Sequence, residues 1–140
     1  RSPSRGLGDV YKRQTPRRVK GEWIFSWVLD GMAVQDVFIV PSRAERLTDI
    51  QPDAAYGTTI RLFNIERQVW EIFYGCPEEC ARLEARKEGD EIILTEITSK
   101  AMKWIFSDIT DNSFTWRSIA KSPAGDWITL ARVYATRKKK

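Results

Sequence analysis

The chain has 140 residues, 42% of them hydrophobic, with six Trp, six Phe and four Tyr; that fits one domain with enough apolar surface to offset the entropy of ordering it, and it excludes intrinsic disorder for the middle of the chain. Of the charges behind a formal net of +4, seven Lys and Arg beside one acid fall in residues 1–20 and four more in residues 137–140, leaving twelve basic against eighteen acidic side chains between them, a net of −6. Basic ends are weak ground for a nucleic-acid surface, because charged tails hold polyanions without specificity. The complete lack of His removes the usual general base, the commonest metal ligand and the proximal ligand of most haem sites, and with them every imidazole-based triad.

In chain order, residues 1–14 have neither helical nor alternating periodicity and read as unstructured. Within them Gly6-Leu7-Gly8-Asp9-Val10-Tyr11-Lys12-Arg13-Gln14 resembles translated sequencing-adaptor read-through, which implies a non-native start, a tail over 1–20 and a lost first strand. No apolar run approaches the ~18–20 residues of a membrane-spanning helix, and no basic-then-apolar leader opens the chain, so the expected location is cytoplasmic, with no membrane partner.

From Gly21 the pattern becomes short runs rich in Val, Ile, Thr and aromatics, bounded by turn residues. Strands are predicted at Glu22–Leu29 and Ala33–Val40, joined at Asp30-Gly31, a pair that favours a type I′ turn. The next are Thr58–Phe63 with Gln68–Tyr74, and Ala81–Lys87 with Glu91–Ile97 across Glu88-Gly89-Asp90, whose glycine supplies a positive φ. Lys103–Ile109, Phe114–Lys121 and Trp127–Ala135 complete about nine strands. Ser42 and Glu45 have capping-box spacing, so one or two helical turns over Arg43–Asp49 are expected before Pro52, within a longer connection that reads as a surface loop more readily than as a lid.

Strand after strand joined by short turns predicts an all-β, antiparallel up-and-down meander over residues 21–136. Alternation puts Trp23, Phe25, Trp27 and Leu29 on one face of the first strand, Trp104 and Phe106 on one face of the seventh, and Phe114 with Trp116 on one face of the eighth. Such aromatic bulk must be hidden, and closing the sheet also removes its exposed edges, which favours a barrel over a two-sheet sandwich.

The strand Tyr56-Gly-Thr-Thr-Ile-Arg-Leu-Phe-Asn64 followed by Trp70, and the hairpin Lys103-Trp-Ile-Phe-Ser-Asp-Ile-Thr-Asp-Asn-Ser-Phe-Thr-Trp116, resemble a bacterial calycin-like family of unknown function. Ala124-Gly125-Asp126-Trp127 matches that family's turn into the last strand only loosely. The resemblance covers roughly residues 21–137 and implies a lipocalin-like barrel, incompletely closed because the family's upstream Trp-containing strand is missing. It implies no catalytic residue.

Four charged residues have apolar neighbours on their own strand face: Arg61 with Thr59 and Phe63, Asp108 with Trp104 and Phe106, Asp36 between Val34 and Phe38, and Arg132 between Leu130 and Tyr134. A charge aimed into an aromatic interior must be paired or serve a ligand. One reading has Arg61 and Arg132 hold an anionic or carbonyl group at the base of a pocket walled by Trp23, Phe25, Trp27, Phe63, Trp70, Trp104 and Phe106, with Asp36 or Asp108 as their partner. The plainer reading, which carries the greater weight, has these faces outside or the charges paired internally, and takes each Trp, including Trp116 and Trp127, as core.

The expected function is therefore binding of a small apolar or anionic molecule, with no cofactor, no metal and no specific nucleic acid. Cys76 and Cys80 supply too few metal ligands and read as reduced loop thiols. A pocket enzyme of isomerase or cyclase type needs Asp36, Asp108 or Glu71 as its acid or base. A single-strand nucleic-acid binder needs aromatics on the outside with Lys and Arg among them, and the acidic balance of residues 21–136 weighs against it.

Overall fold

The computed structural model describes residues 18–46 and 54–138. The expectations for residues 1–14, and the 47–49 part of the predicted helix, lie outside the described residues. The elements are β1 (Glu22–Val28), β2 (Ala33–Val40), a one-turn helix α1 (Arg43–Arg46), β3 (Ala55–Asn64), β4 (Val69–Gly75), β5 (Cys80–Glu88), β6 (Glu91–Glu96), β7 (Met102–Ser107), β8 (Ser113–Lys121) and β9 (Trp127–Thr136). They form one nine-stranded antiparallel sheet in sequence order, the meander expected from short turns between alternating strands.

The sheet curls into a half-barrel. Each described strand pairs with its sequence neighbours, and no ladder joins β9 back to β1. The curl is nevertheless deep, because Trp23 of β1 reaches across the concave side to Phe106 of β7 and to Phe114 and Trp116 of β8, with ring centroids 5.6, 5.4 and 5.8 Å away. The rings meet edge-on or tilted, the arrangements their quadrupoles prefer.

The core lies on the concave face of β4–β7, where Ile72, Leu83, Leu94 and Trp104 are buried. Large side chains stand opposite small ones: Trp70 faces Ala85 and Tyr74 faces Ala81. That complementarity gives each large ring a small neighbour across the ladder to pack beside. On β9, Ser118 pairs with Ala131 but Ile119 pairs with Thr129, so Leu130 is the extra residue of a β-bulge.

The turns mostly follow their local chemistry. Gly89 takes φ +63° in the two-residue link of β5 to β6. In the first hairpin the positive φ begins one residue earlier than the sequence implies, at Leu29 (+53°) and Asp30 (+55°), with Gly31 following at +85°. The Glu45 amide points to the Ser42 hydroxyl at 3.5 Å, the capping-box contact expected. The Glu22 carboxylate fastens α1 to β1 by accepting from the backbone amide, Nε and Nη2 of Arg43 at 2.8–3.1 Å. Those Arg43 hydrogen bonds hold the Glu22 carboxyl down to about 2. At the end of β6 the buried Glu96 carboxylate accepts from the amides of Thr98, Ser99 and Lys100 and from the Thr98 hydroxyl. Burial pushes the Glu96 carboxyl up, but these donors outweigh it and leave the group below the ordinary carboxylate range.

Candidate functional site

Among the described residues the concave face carries one internal ion pair, and strand register explains it. Asp36 stands opposite Thr59, and Val34 opposite Arg61, so Asp36 and Arg61 are diagonal neighbours, within reach of a long side chain. Arg61 Nη1 lies 2.8 Å from Asp36 Oδ2. The Asp36 side chain is 2% exposed and that of Arg61 14%, so the carboxylate is sealed while the guanidinium keeps one route to solvent. Two rings bracket the cation: the Phe25 centroid is 5.8 Å and the Phe106 centroid 5.9 Å from the guanidinium carbon. That is cation–π range, and such contacts add a modest attraction that grows with desolvation.

Of the residues expected to line a pocket, Trp23, Phe25, Arg61, Trp104 and Phe106 do converge on this face. Trp23 stacks on Phe25 at 5.5 Å. Phe63 and Trp70 meet edge-on at 5.2 Å further along β3 and β4, with Phe63 41% exposed at the rim. Trp27 shares the alternation of Trp23 and Phe25 but is 73% exposed, at the far end of β1, which no β9–β1 ladder covers. Asp108 is not in the site: β7 ends at Ser107, and Asp108 occupies an exposed left-handed turn (φ +51°) where its carboxylate accepts from the Thr115 hydroxyl at 3.1 Å. Arg132 is not there either; it stands exposed on the convex face, opposite Arg117.

Phe38, Tyr74 and Phe114 belong to the concave cluster although they were not singled out as ligand-binding. Phe38 lies 5.0 Å from Trp23, Tyr74 5.0 Å from Trp104, and Phe114 5.3 Å from Phe106. Their signal was available, since each shares its strand's alternation with a residue that was named. Burial drives the Tyr74 phenol well above its ordinary range, helped by a hydrogen bond with Cys76 and the nearby Glu79 and Glu78.

Apart from the Asp36–Arg61 pair, which satisfies its own atoms at 2.8 Å, three buried polar atoms on this face have no hydrogen-bond partner among the described residues: Trp23 Nε1, Trp104 Nε1 and Ser118 Oγ. Trp104 and Ser118 are directly opposite one another on β7 and β8. Native interiors leave few such atoms, and a cluster of them marks a place where a water or ligand group belongs.

The three carboxylates considered for acid–base work do not gather. Asp36 is locked to Arg61 inside, Asp108 sits in its turn, and Glu71 lies on the convex face, where it accepts from Asn64 at 3.1 Å and Arg82 at 3.3 Å. Cys76 and Cys80 are both free thiols, and among the described residues no three metal-ligating side chains cluster. An open recess of about 550 Å³ lies towards the other end of β2–β4, lined by Val37, Phe38, Tyr56, Gly57, Gly75 and Cys76, so that Phe38 borders both it and the aromatic cluster. Its sequence signal was the two strand glycines, which mark places where a side chain is dispensed with; a Cβ on Gly75 would meet nothing within 4 Å. No protein-family model matches this chain, and no curated protein matches it.

Proposed function

We propose that the half-barrel binds a small, flat, largely apolar molecule carrying an anionic or carbonyl group, laid on its concave face with that group at Arg61. The observation that carries this reading is the set of partnerless buried polar atoms, Trp23 Nε1, Trp104 Nε1 and Ser118 Oγ, on the same concave face as the Asp36–Arg61 pair. Aromatic walls supply most of the area in such a site, and a few polar groups fix orientation. The guanidinium presents several donors and Asp36 engages one side of it, so it can pair with its carboxylate and still donate to a ligand. The exposure of Phe25, Trp27 and Phe63 leaves the approach open on that side.

The reading is tested by titrating a panel of aromatic and fatty carboxylates, following Trp fluorescence, against the wild type, Arg61→Ala and the paired variant Asp36→Leu/Arg61→Met. The paired variant removes both charges and keeps the interior apolar, so it separates loss of recognition from loss of folding. A panel member that binds the wild type and weakens by 10-fold or more in both variants, as expected for a charge-assisted contact of about 1.5–3 kcal/mol, supports the site. Equal affinity in the paired variant removes Arg61 from it.

A further inference from the structure

The convex surface of β7–β9 has a character opposite to that of the chain between the tails. No acidic residue occupies an outward position on these three strands, which instead present Lys103, Arg117, Lys121 and Arg132. Arg117 and Arg132 are directly opposed across the β8–β9 ladder, an arrangement that is unfavourable by itself. Glu91 on β6 offsets Arg117, at 3.4 Å; Arg132 makes no ion pair among the described residues.

Two large aromatics stand among these cations. Trp127 is 42% and Tyr134 65% exposed. The ammonium groups of Lys103 and Lys121 lie 5.0 and 5.5 Å from the Trp127 ring, and the guanidinium of Arg18 lies 6.0 Å from that of Tyr134. Rings fringed by cations, and left open to water, combine the two things a flexible polyanion of aromatic units needs: a π-face to stack on and a positive charge for its backbone. Trp127 and Tyr134 are seven positions apart on one strand, about 20 Å, which suits the lower end of the ~4–16 nucleotides that single-strand sites of β-barrels cover.

We infer that the convex face of β7–β9 is a sequence-tolerant binding surface for single-stranded nucleic acid, with Trp127 and Tyr134 as stacking platforms and Lys103, Lys121 and Arg132 as phosphate contacts. Duplex DNA is a poorer fit, because its bases are already stacked and closed to Trp127. The surface is independent of the concave site, from which the sheet itself separates it.

The test is fluorescence anisotropy of a labelled oligothymidylate about 12 nucleotides long, titrated with the full chain over a series of salt concentrations. Trp127→Ala is expected to weaken binding roughly 10-fold and Trp127→Phe much less, since stacking is retained. The triple variant Lys103→Gln/Lys121→Gln/Arg132→Gln is expected to reduce the slope of log affinity on log salt by about 2, from about 0.7 per phosphate contact on a single strand. Heparin, a polyanion without bases, is expected to respond to the triple variant and not to Trp127→Ala. Oligothymidylate affinity unchanged in both Trp127→Ala and the triple variant overturns the inference and assigns binding to the basic ends. Loss only in the triple variant overturns it too, leaving a surface for polyanions at large, as does capture of anionic vesicles without capture of the oligonucleotide.

Discussion

The sharpest consequence of the concave face concerns the Asp36–Arg61 pair. Unit charges 2.8 Å apart attract by about 6 kcal/mol at an effective dielectric of ~20, while removing each from water costs several kcal/mol. The two nearly cancel, so the pair as a whole contributes little. Either charge alone has no such offset: Arg61→Met leaves a carboxylate that is 2% exposed with no cation, and Asp36→Leu leaves a guanidinium whose remaining described partners are two Phe rings. Each single variant should lose about 3–5 kcal/mol, with Arg61→Met the worse, because Arg61 keeps its solvent route and its rings while Asp36 keeps nothing. The double variant should return to within about 1 kcal/mol of the wild type. Urea unfolding, with a slope of about 2 kcal/mol/M, would read the singles as midpoint shifts of about 2 M. Additive losses in the double variant, or singles that cost under about 1 kcal/mol, would refute the reasoning, since neither is compatible with a buried, mutually dependent pair.

Three further outcomes follow from the packing and the charges. Leu83 is fully buried in the core, and Leu83→Ala should cost about 4 kcal/mol by chemical denaturation, near the upper end for a site that cannot collapse. Gly57→Ala would bring a Cβ to 2.7 Å from the Tyr74 ring, so the ring must shift from its place against Trp104; near-UV circular dichroism should change, with a loss of about 1–3 kcal/mol. The Glu22 carboxyl titrates near 2 in the fold and near 4.3 when unfolded. Its contribution is thus present above about 4.3 and disappears as pH falls through 2, and the protection factor of the Arg43 amide, its exchange relative to the intrinsic rate at each pH, should fall over that window while the β4–β7 ladders stay protected.

The meander was legible because its evidence is local: alternating runs, β-branched residues and glycine turns each act within a few residues. The concave aromatic cluster was legible for the same reason, and alternation placed Trp23, Phe25, Trp104 and Phe106 correctly. What alternation alone does not contain is where the ladder stops or slips. Asp108 was assigned inward by extending β7 two residues past Ser107, into a left-handed turn. Trp27 continues the inward period of Trp23 and Phe25, yet stands in water at the end of β1 that no β9–β1 ladder covers. Arg132 falls on the convex side, which was the plainer of the two readings open for it. The outward aromatics named as a requirement for a nucleic-acid surface are present in Trp127 and Tyr134, and the overall acidic balance hid them because charge was summed along the chain and not by face.

Leu130 decides that last arrangement without taking part in it. A regular strand turns odd and even positions to opposite sides, so Trp127 and Arg132, five apart, would look in opposite directions. One extra residue between them cancels the difference. Deleting Leu130 would make β9 regular, with Ile128 still beside Ala120 and Ala131 still beside Ser118. Pressing Leu130 into the ladder instead would roll one half of the strand over, sending either the indole or the guanidinium towards the aromatic interior. By taking one odd residue out of the ladder, the bulge keeps the two half-strands in one continuous outward stripe.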